Sequence, residues 1–206
     1  MLAIANRQAL LTRSNNKYYS SEVENYIINM IKTTDIPGIL IIEGGQTFED
    51  ERGFFREPWR RNEFEEALGR KWVHVQENHA YSQKDVLRGI HIAPWDKMIY
   101  VPFGRVFITL VDLRKDSQTF GKHISLEIGD NNRVKVFMPA GIGNSYLILS
   151  EQAVYEYQVD QYYKSGAETG VMWNDPELGI DWPVENPLLS DKDQKNPSLL
   201  EYKASL

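Results

Sequence analysis

The chain contains no cysteine, which removes disulfides, thiolate metal centres and cysteine nucleophiles together. Histidine is scarce as well: His74, His79, His91 and His123 form no H-x-H or H-E-x-x-H spacing, so a histidine-rich metal centre is not expected. No apolar run approaches the roughly eighteen residues that a membrane-spanning helix needs. The opening MLAIANRQALLTR has too short an apolar core and no small-residue cleavage site for a signal peptide. Positive charge is also in short supply, with 23 Lys and Arg against 29 Asp and Glu and a net charge of −6. Such a balance does not attract a nucleic-acid backbone, so any bound phosphate must be met by a few placed arginines. The expectation is a soluble, cytoplasmic protein with neither nucleic acid nor membrane as partner.

What is present fits one large domain: 206 residues, 42% hydrophobic and 25% charged. After a polar first 20 residues, SEVENYIINMIK places Val23, Tyr26, Ile27, Met30 and Ile31 on one stripe, and Ser21 with Glu24 matches a capping box. The pattern predicts an amphipathic helix over 21–32, within an N-terminal extension over 1–35. ILIIEG then reads as a first strand. NEFEEALGR reads as a second short helix, with Asn62 as cap, Glu65 at the reciprocal position and Gly69 ending it.

From Trp72 the periodicity changes to short β-branched and aromatic runs: WVHVQENHAYS, KMIYVPFG, RVFITLVDLR, HISLEIGDNN, RVKVFMPAG, SYLILS and AVYEYQVDQYY. Turn chemistry separates them at Phe103-Gly104, at 129–132 and at 139–143. An all-β sandwich or barrel over 36–206, with a few short peripheral helices, is the fold this implies. The segment WNDPELGIDWPVENPLLSDKD is too irregular for a strand or a long helix, and its tryptophans imply that it packs on the barrel.

Several residues are candidates for chemistry. His91 lies in the apolar run DVLRGIHIAPWDK, where a lone histidine is more often a hydrogen-bonded structural group than a catalyst. In AVYEYQVDQYY, alternation puts Ala153, Tyr155, Tyr157, Val159 and Tyr163 on one face, and several inward phenols need partners or a ligand. Arg52 and Arg88 each precede a glycine, which lets a ligand approach the backbone closely, and a guanidinium fork suits diphosphate oxygens. Salt bridges with nearby acids are the plainer reading of both. Gln76 and Asn78 share one side of a strand and offer amide hydrogen bonds.

FEDERGFFRE (48–57), VQENHAYS (75–82), VLRGIH (86–91), VDLRKDSQTFGK (111–122), PAG (139–141), WNDPELGIDWP (173–183) and LSDKD (189–193) together resemble the dTDP-4-dehydrorhamnose 3,5-epimerase family of nucleotide-sugar epimerases. The resemblance implies a cupin-like jelly roll, a homodimer that exchanges an N-terminal strand, and a metal-free pocket needing no cofactor. It assigns His91 as the base, Asp175 in WNDP as the carboxylate that orients it, Lys97 as a cation near the enolate oxygen, and Tyr157 as the acid. It further implies that Arg52 and Arg88 meet the diphosphate and that Glu57, Gln76 and Asn78 meet the nucleoside end. Phe48, Phe55 and Tyr163 are flat surfaces beside base or sugar.

One position departs from the family pattern. Where the family commonly has P-x-G-x-x-H-G-F, this chain has PAGIGNSY, so Asn144 replaces an imidazole near the keto oxygen. Asparagine donates a hydrogen bond but carries no charge. The substitution keeps open a changed sugar, such as a GDP-linked 4-keto heptose, or inversion at C3 alone. A noncatalytic sugar-nucleotide-binding jelly roll is the reading from another class. It would have no use for a paired base and acid.

Overall fold

Two sheets packed face to face make up the described part of the protein, which in the computed structural model is residues 31–206. The strands are β1 (Ile31–Thr33), β2 (Leu40–Ile42), β3 (Thr47–Asp50), β4 (Gly53–Arg56), β5 (Gln76–Gln83), β6 (Leu87–Ile92) and β7 (Lys97–Phe103). They continue with β8 (Arg105–Asp112), β9 (His123–Gly129), β10 (Lys135–Met138), β11 (Ile142–Ile148), β12 (Gln152–Val159) and β13 (Thr169–Gly170). Helices are α1 (Arg61–Leu68) and α2 (Leu199–Ser205), with a 3-10 turn at Asp193–Lys195. One sheet has the order β1-β2-β10-β7-β12-β5, the other β13-β6-β11-β8-β9, and β3-β4 forms a separate hairpin. Each predicted run from Gln76 to Val159 is a strand, and the architecture is the expected jelly-roll sandwich.

Alternation along the strands explains the layering, because successive side chains point to opposite faces. Ile99, Val101, Val106, Ile108, Leu110, Val136, Ile142, Ile148 and Tyr155 form the core between the sheets. The outer face of the larger sheet carries Leu40, Ile42, Met98 and Phe137, covered by Phe64 of α1 and by Trp72. Ile90, Ile92 and Val111 on the outer face of the other sheet are covered by Leu178, Leu199 and Tyr202. The predicted irregular segment does pack on the sandwich: the Trp182 ring meets Phe107 of β8 edge-on at 5.7 Å, and its indole N–H donates to the Trp173 carbonyl at 2.9 Å.

Three local expectations change. The helix predicted over 21–32 lies outside the described residues except for Ile31 and Lys32, which instead pair with Ile42 and Ile41 as β1, since the sheet edge offers backbone partners there. Helix α1 is capped by Arg60 without a side-chain bond, and Asn62 lies inside its first turn. Glu65 does not reach back to a cap, because its carboxylate accepts from the Trp72 amide at 3.1 Å and the Lys71 ammonium at 2.8 Å. Gly69 ends the helix at φ 74° as predicted. Helix α2 was not expected, yet Ser198 and Glu201 close a capping box at its start.

Candidate active site

Cross-strand register shows which side chains face the interior, since directly paired residues share a face. Leu110 belongs to the inner core, it pairs with Asn144, and Asn144 pairs with His91, so His91 and Asn144 point inward from the smaller sheet. On the larger sheet, inner Ile99 pairs with Tyr157, which pairs with Asn78. Val159 likewise pairs with Lys97 and Gln76. The fold therefore sets His91 and Asn144 on one wall of the interior and Tyr157, Lys97, Gln76 and Asn78 on the other. Arg88, paired with inward Tyr146, crosses toward the larger sheet and donates to the Ser82 hydroxyl at 3.2 Å.

His91 is held by a carboxylate, but not by the one the motif assigned. Its Nε2 lies 2.6 Å from Asp193 Oδ1. Asp193 is 3% exposed, and burial alone would raise its pKa; bonds from His91, the Ser190 hydroxyl and the Gly89 amide outweigh this and hold it below the ordinary carboxylate range. Asp175 is occupied elsewhere, its oxygens accepting from the Leu199 amide at 2.7 Å and the Glu177 amide at 2.9 Å. It anchors the start of α2 to the WNDP turn. Asp193 was missed because it lies inside the quoted LSDKD stretch with nothing in the local pattern to mark it. Only the 3-10 turn at Asp193–Lys195 brings it under the imidazole.

Gly89 serves a different purpose from the ligand approach inferred for the glycine after Arg88. With φ 127°, a Cβ there would come within 2.7 Å of the Asn144 carbonyl and of Ser145 Cα, so glycine lets β6 press against β11 beside His91. The Asn144 side chain, 5% exposed, accepts from the Tyr155 hydroxyl at 2.9 Å.

On the opposite wall the Lys97 ammonium lies 4.7 Å from the Tyr157 ring centroid. Lys97 is 5% exposed, and burial pulls its pKa down to about 8 against the opposing pull of Glu168. The Tyr157 phenol is shifted upward, first by burial and then by Glu168, so it stays protonated well above neutral pH. Glu168 is a further group that the sequence reading missed.

The remaining predicted ligand contacts divide into two sets. Gln76 and Asn78 are joined by a 2.9 Å side-chain bond, and Gln76 also accepts from the Tyr163 amide at 2.9 Å. Tyr163 lies beyond the end of β12, exposed, with its ring edge-on to Trp95 at 6.3 Å, so strand alternation does not carry it inward as predicted. The second set lies on or just after the β3-β4 hairpin and is not brought to His91 within this chain. Phe48 pairs with Phe55 and both are exposed, Arg52 is ion-paired with Asp50, and Glu57 is ion-paired with Arg60. The plainer salt-bridge reading thus holds for Arg52 in the single chain but not for Arg88, whose guanidinium meets the Ser82 hydroxyl instead.

The VDLRKDSQTFGK motif has a structural task. Asp112, fully buried, would be raised by burial, but bonds from Arg114, Ser117 and Thr119 hold it far below the carboxylate range and fix the loop after β8.

Comparison with known proteins identifies the family and the fold. Residues 33–201 match the family model of dTDP-4-dehydrorhamnose 3,5-epimerase. A dTDP-4-dehydrorhamnose 3,5-epimerase of Shigella flexneri is 43% identical over 170 residues, spanning 81% of this chain and 93% of that one. The crystal structure of the Legionella pneumophila RmlC in complex with dTDP-4-keto-L-rhamnose superposes with a TM-score of 0.79 at 36% identity, covering 85% of this chain and 95% of that one. That of NovW, a 4-keto-6-deoxy sugar epimerase from Streptomyces spheroides, gives 0.81 at 34% identity, covering 85% and 89%. Matched along most of its length in both sequence and fold, the chain belongs to the dTDP-4-dehydrorhamnose 3,5-epimerase family.

Proposed function

We propose that this protein is an isomerase that inverts C3 and C5 of a dTDP-4-keto-6-deoxyhexose in deoxysugar biosynthesis. The observation that carries the reading is the placement of a carboxylate-held imidazole and a protonated phenol on facing inner walls of the sandwich. The 4-keto group acidifies the hydrogens on both flanking carbons. His91, donating its Nε2 hydrogen to Asp193, keeps Nδ1 as the basic lone pair and takes a carbon-bound proton, while Asp193 stabilises the imidazolium that results. The electron pair moves onto the keto oxygen, where the Lys97 cation and the Asn144 amide stabilise the enolate. Tyr157 then gives its proton to the opposite side of the carbon, which inverts the centre. Solvent exchange returns both groups to their starting protonation states.

Arg88 is assigned to the diphosphate, and Gln76 and Asn78 to the nucleoside end. The hairpin residues Phe48, Arg52, Phe55 and the adjacent Glu57 fit this scheme as contributions to a second protomer's ligand. The proposed assembly is accordingly a homodimer with an exchanged N-terminal strand, and the cytoplasm is its proposed location. The short edge strand β1 and the uncovered aromatic hairpin are the features that favour it. Among the described residues no helix is long and apolar enough to cross a membrane.

The deciding experiment incubates the protein in D₂O with dTDP- and GDP-linked 4-keto sugars and follows C3 and C5 by NMR. Exchange with inversion at both carbons of the dTDP-hexose is expected. Exchange at C3 alone would establish a mono-epimerase, preference for the GDP-linked heptose would change the substrate, and exchange at neither carbon would leave a binding protein.

A further inference from the structure

Tyr155 is a fully buried phenol on the inner face of β12 that the reaction scheme above does not use. Its ring lies flat on Tyr146 of the facing sheet, centroids 3.8 Å apart and planes 7° from parallel. Its hydroxyl meets Asn144 Oδ1 at 2.9 Å, and Asn144 Nδ2 faces the Ser145 carbonyl at 3.4 Å. That carbonyl only accepts, so it selects the amide nitrogen as its neighbour. Oδ1 is thereby turned to Tyr155, and the phenol must be the donor. The Ser145 carbonyl alone sets the direction of the carboxamide, since a phenol can donate or accept, and the Tyr155 hydroxyl then holds that direction by donating to Oδ1. The contact to Ser145 is long for an N–H donor, which leaves the Asn144 N–H edge underused in a buried place beside His91.

We infer that Tyr155 is a positioning residue, holding the Asn144 carboxamide so that its N–H edge, rather than its oxygen, meets the carbonyl oxygen of the bound sugar. The inference rests on the epimerase reading and deepens it. A carboxamide turned the other way would aim a lone pair at the developing enolate and oppose the charge that Lys97 stabilises. The stack on Tyr146 fixes the plane of the Tyr155 ring, and through it the hydroxyl, so the orientation is set before substrate arrives. Burial raises the Tyr155 pKa well above its ordinary value, so the phenol keeps the hydrogen it donates throughout the working pH range.

Tyr155→Phe keeps the ring and the stack and removes only the donor. The expected result is a kcat lower by about tenfold, part of the roughly 10²- to 10³-fold that one oriented enolate donor supplies, with KM for the nucleotide sugar unchanged. In an Asn144→Ala background the same change should have no effect on kcat. A wild-type kcat for Tyr155→Phe, or an equal loss with and without Asn144, would overturn the inference, the latter making Tyr155 a packing residue only. A second measurement stands apart from turnover: the Asn144 side-chain amide signal, identified by its loss in Asn144→Ala and compared between wild type and Tyr155→Phe. A shift of this signal on adding dTDP-4-keto sugar is expected in wild type and a smaller or absent one in Tyr155→Phe, and a signal that does not respond in wild type, or responds equally in both proteins, would refute the positioning role. Absence of deuterium exchange into any sugar by wild type defeats the epimerase reading, whereas the amide signal still decides whether Tyr155 orients Asn144.

Discussion

His91 Nε2 and Asp193 Oδ1 lie 2.6 Å apart although 102 positions separate them in the chain. The pair gives the imidazole one fixed orientation and a counter-charge for its protonated form, the two properties a carbon base needs.

Asp193→Asn should therefore lower kcat by about 10²- to 10⁴-fold, the usual worth of general base catalysis. Asp175→Asn should leave kcat within about twofold and instead weaken the anchor of α2, at about 1 kcal/mol for one lost hydrogen bond. Steady-state kinetics and thermal melts of the two variants, run side by side, check the assignment. The opposite pattern would return the dyad to WNDP.

Tyr157→Phe separates the two half-reactions. Proton removal by His91 survives, so deuterium should still enter from the His91 side, but without the opposing donor inversion should fall by about 10²-fold or more. NMR of the sugar after incubation in D₂O distinguishes exchange with retention from exchange with inversion. Equal inversion by the variant would remove Tyr157 from the acid role.

Lys97 connects pH to both rate and stability. With its pKa near 8 in the folded protein, the cation is lost as pH rises through 8, so kcat should fall on that limb, and Lys97→Arg should move the fall to higher pH. For stability the sign is opposite. The folded pKa lies below the unfolded value of 10.5, so the unfolded chain binds more protons between about pH 8 and 10.5, and stability rises over that window. Lys97→Met should be more stable than wild type at pH 7, with the difference shrinking above pH 8 in pH-resolved denaturation curves.

Arg88→Ala should act on binding more than on chemistry. The exposed guanidinium donates to the Ser82 hydroxyl and lies close enough to Tyr146 and Tyr157 to act on both phenols, with no carboxylate paired to it among the described residues, a placement open to an anionic ligand. A charged hydrogen bond worth about 1.5–3 kcal/mol predicts a KM raised about 10- to 100-fold with kcat changed much less. Isothermal titration with dTDP alone gives the same comparison without turnover. A loss confined to kcat would contradict a diphosphate role.

The strands and their faces were legible in the sequence because period-two alternation is a local property. Ala153, Tyr155 and Val159 are buried on one side of β12 as that rule requires, and Lys97, Tyr157 and Asn78 follow from the same alternation once register is known. The rule failed at Tyr163, where the strand had already ended. Motif resemblance carried the family and pointed to His91. It did not carry the partner of that base, because two aspartates, Asp175 and Asp193, sit in equally recognisable stretches and the sequence holds no distance between either one and His91.

By itself, then, the sequence determined the all-β sandwich, the exclusion of thiol chemistry, and the family. Local patterns of burial and turn residues encode the fold, and the motifs identify the family. Only the tertiary structure decided which carboxylate holds His91, that Tyr155 grips Asn144, and that the hairpin aromatics lie apart from the interior of their own chain. Those are contacts between distant segments, set by sheet register and by how the C-terminal turn crosses β6, and no short window of residues contains them.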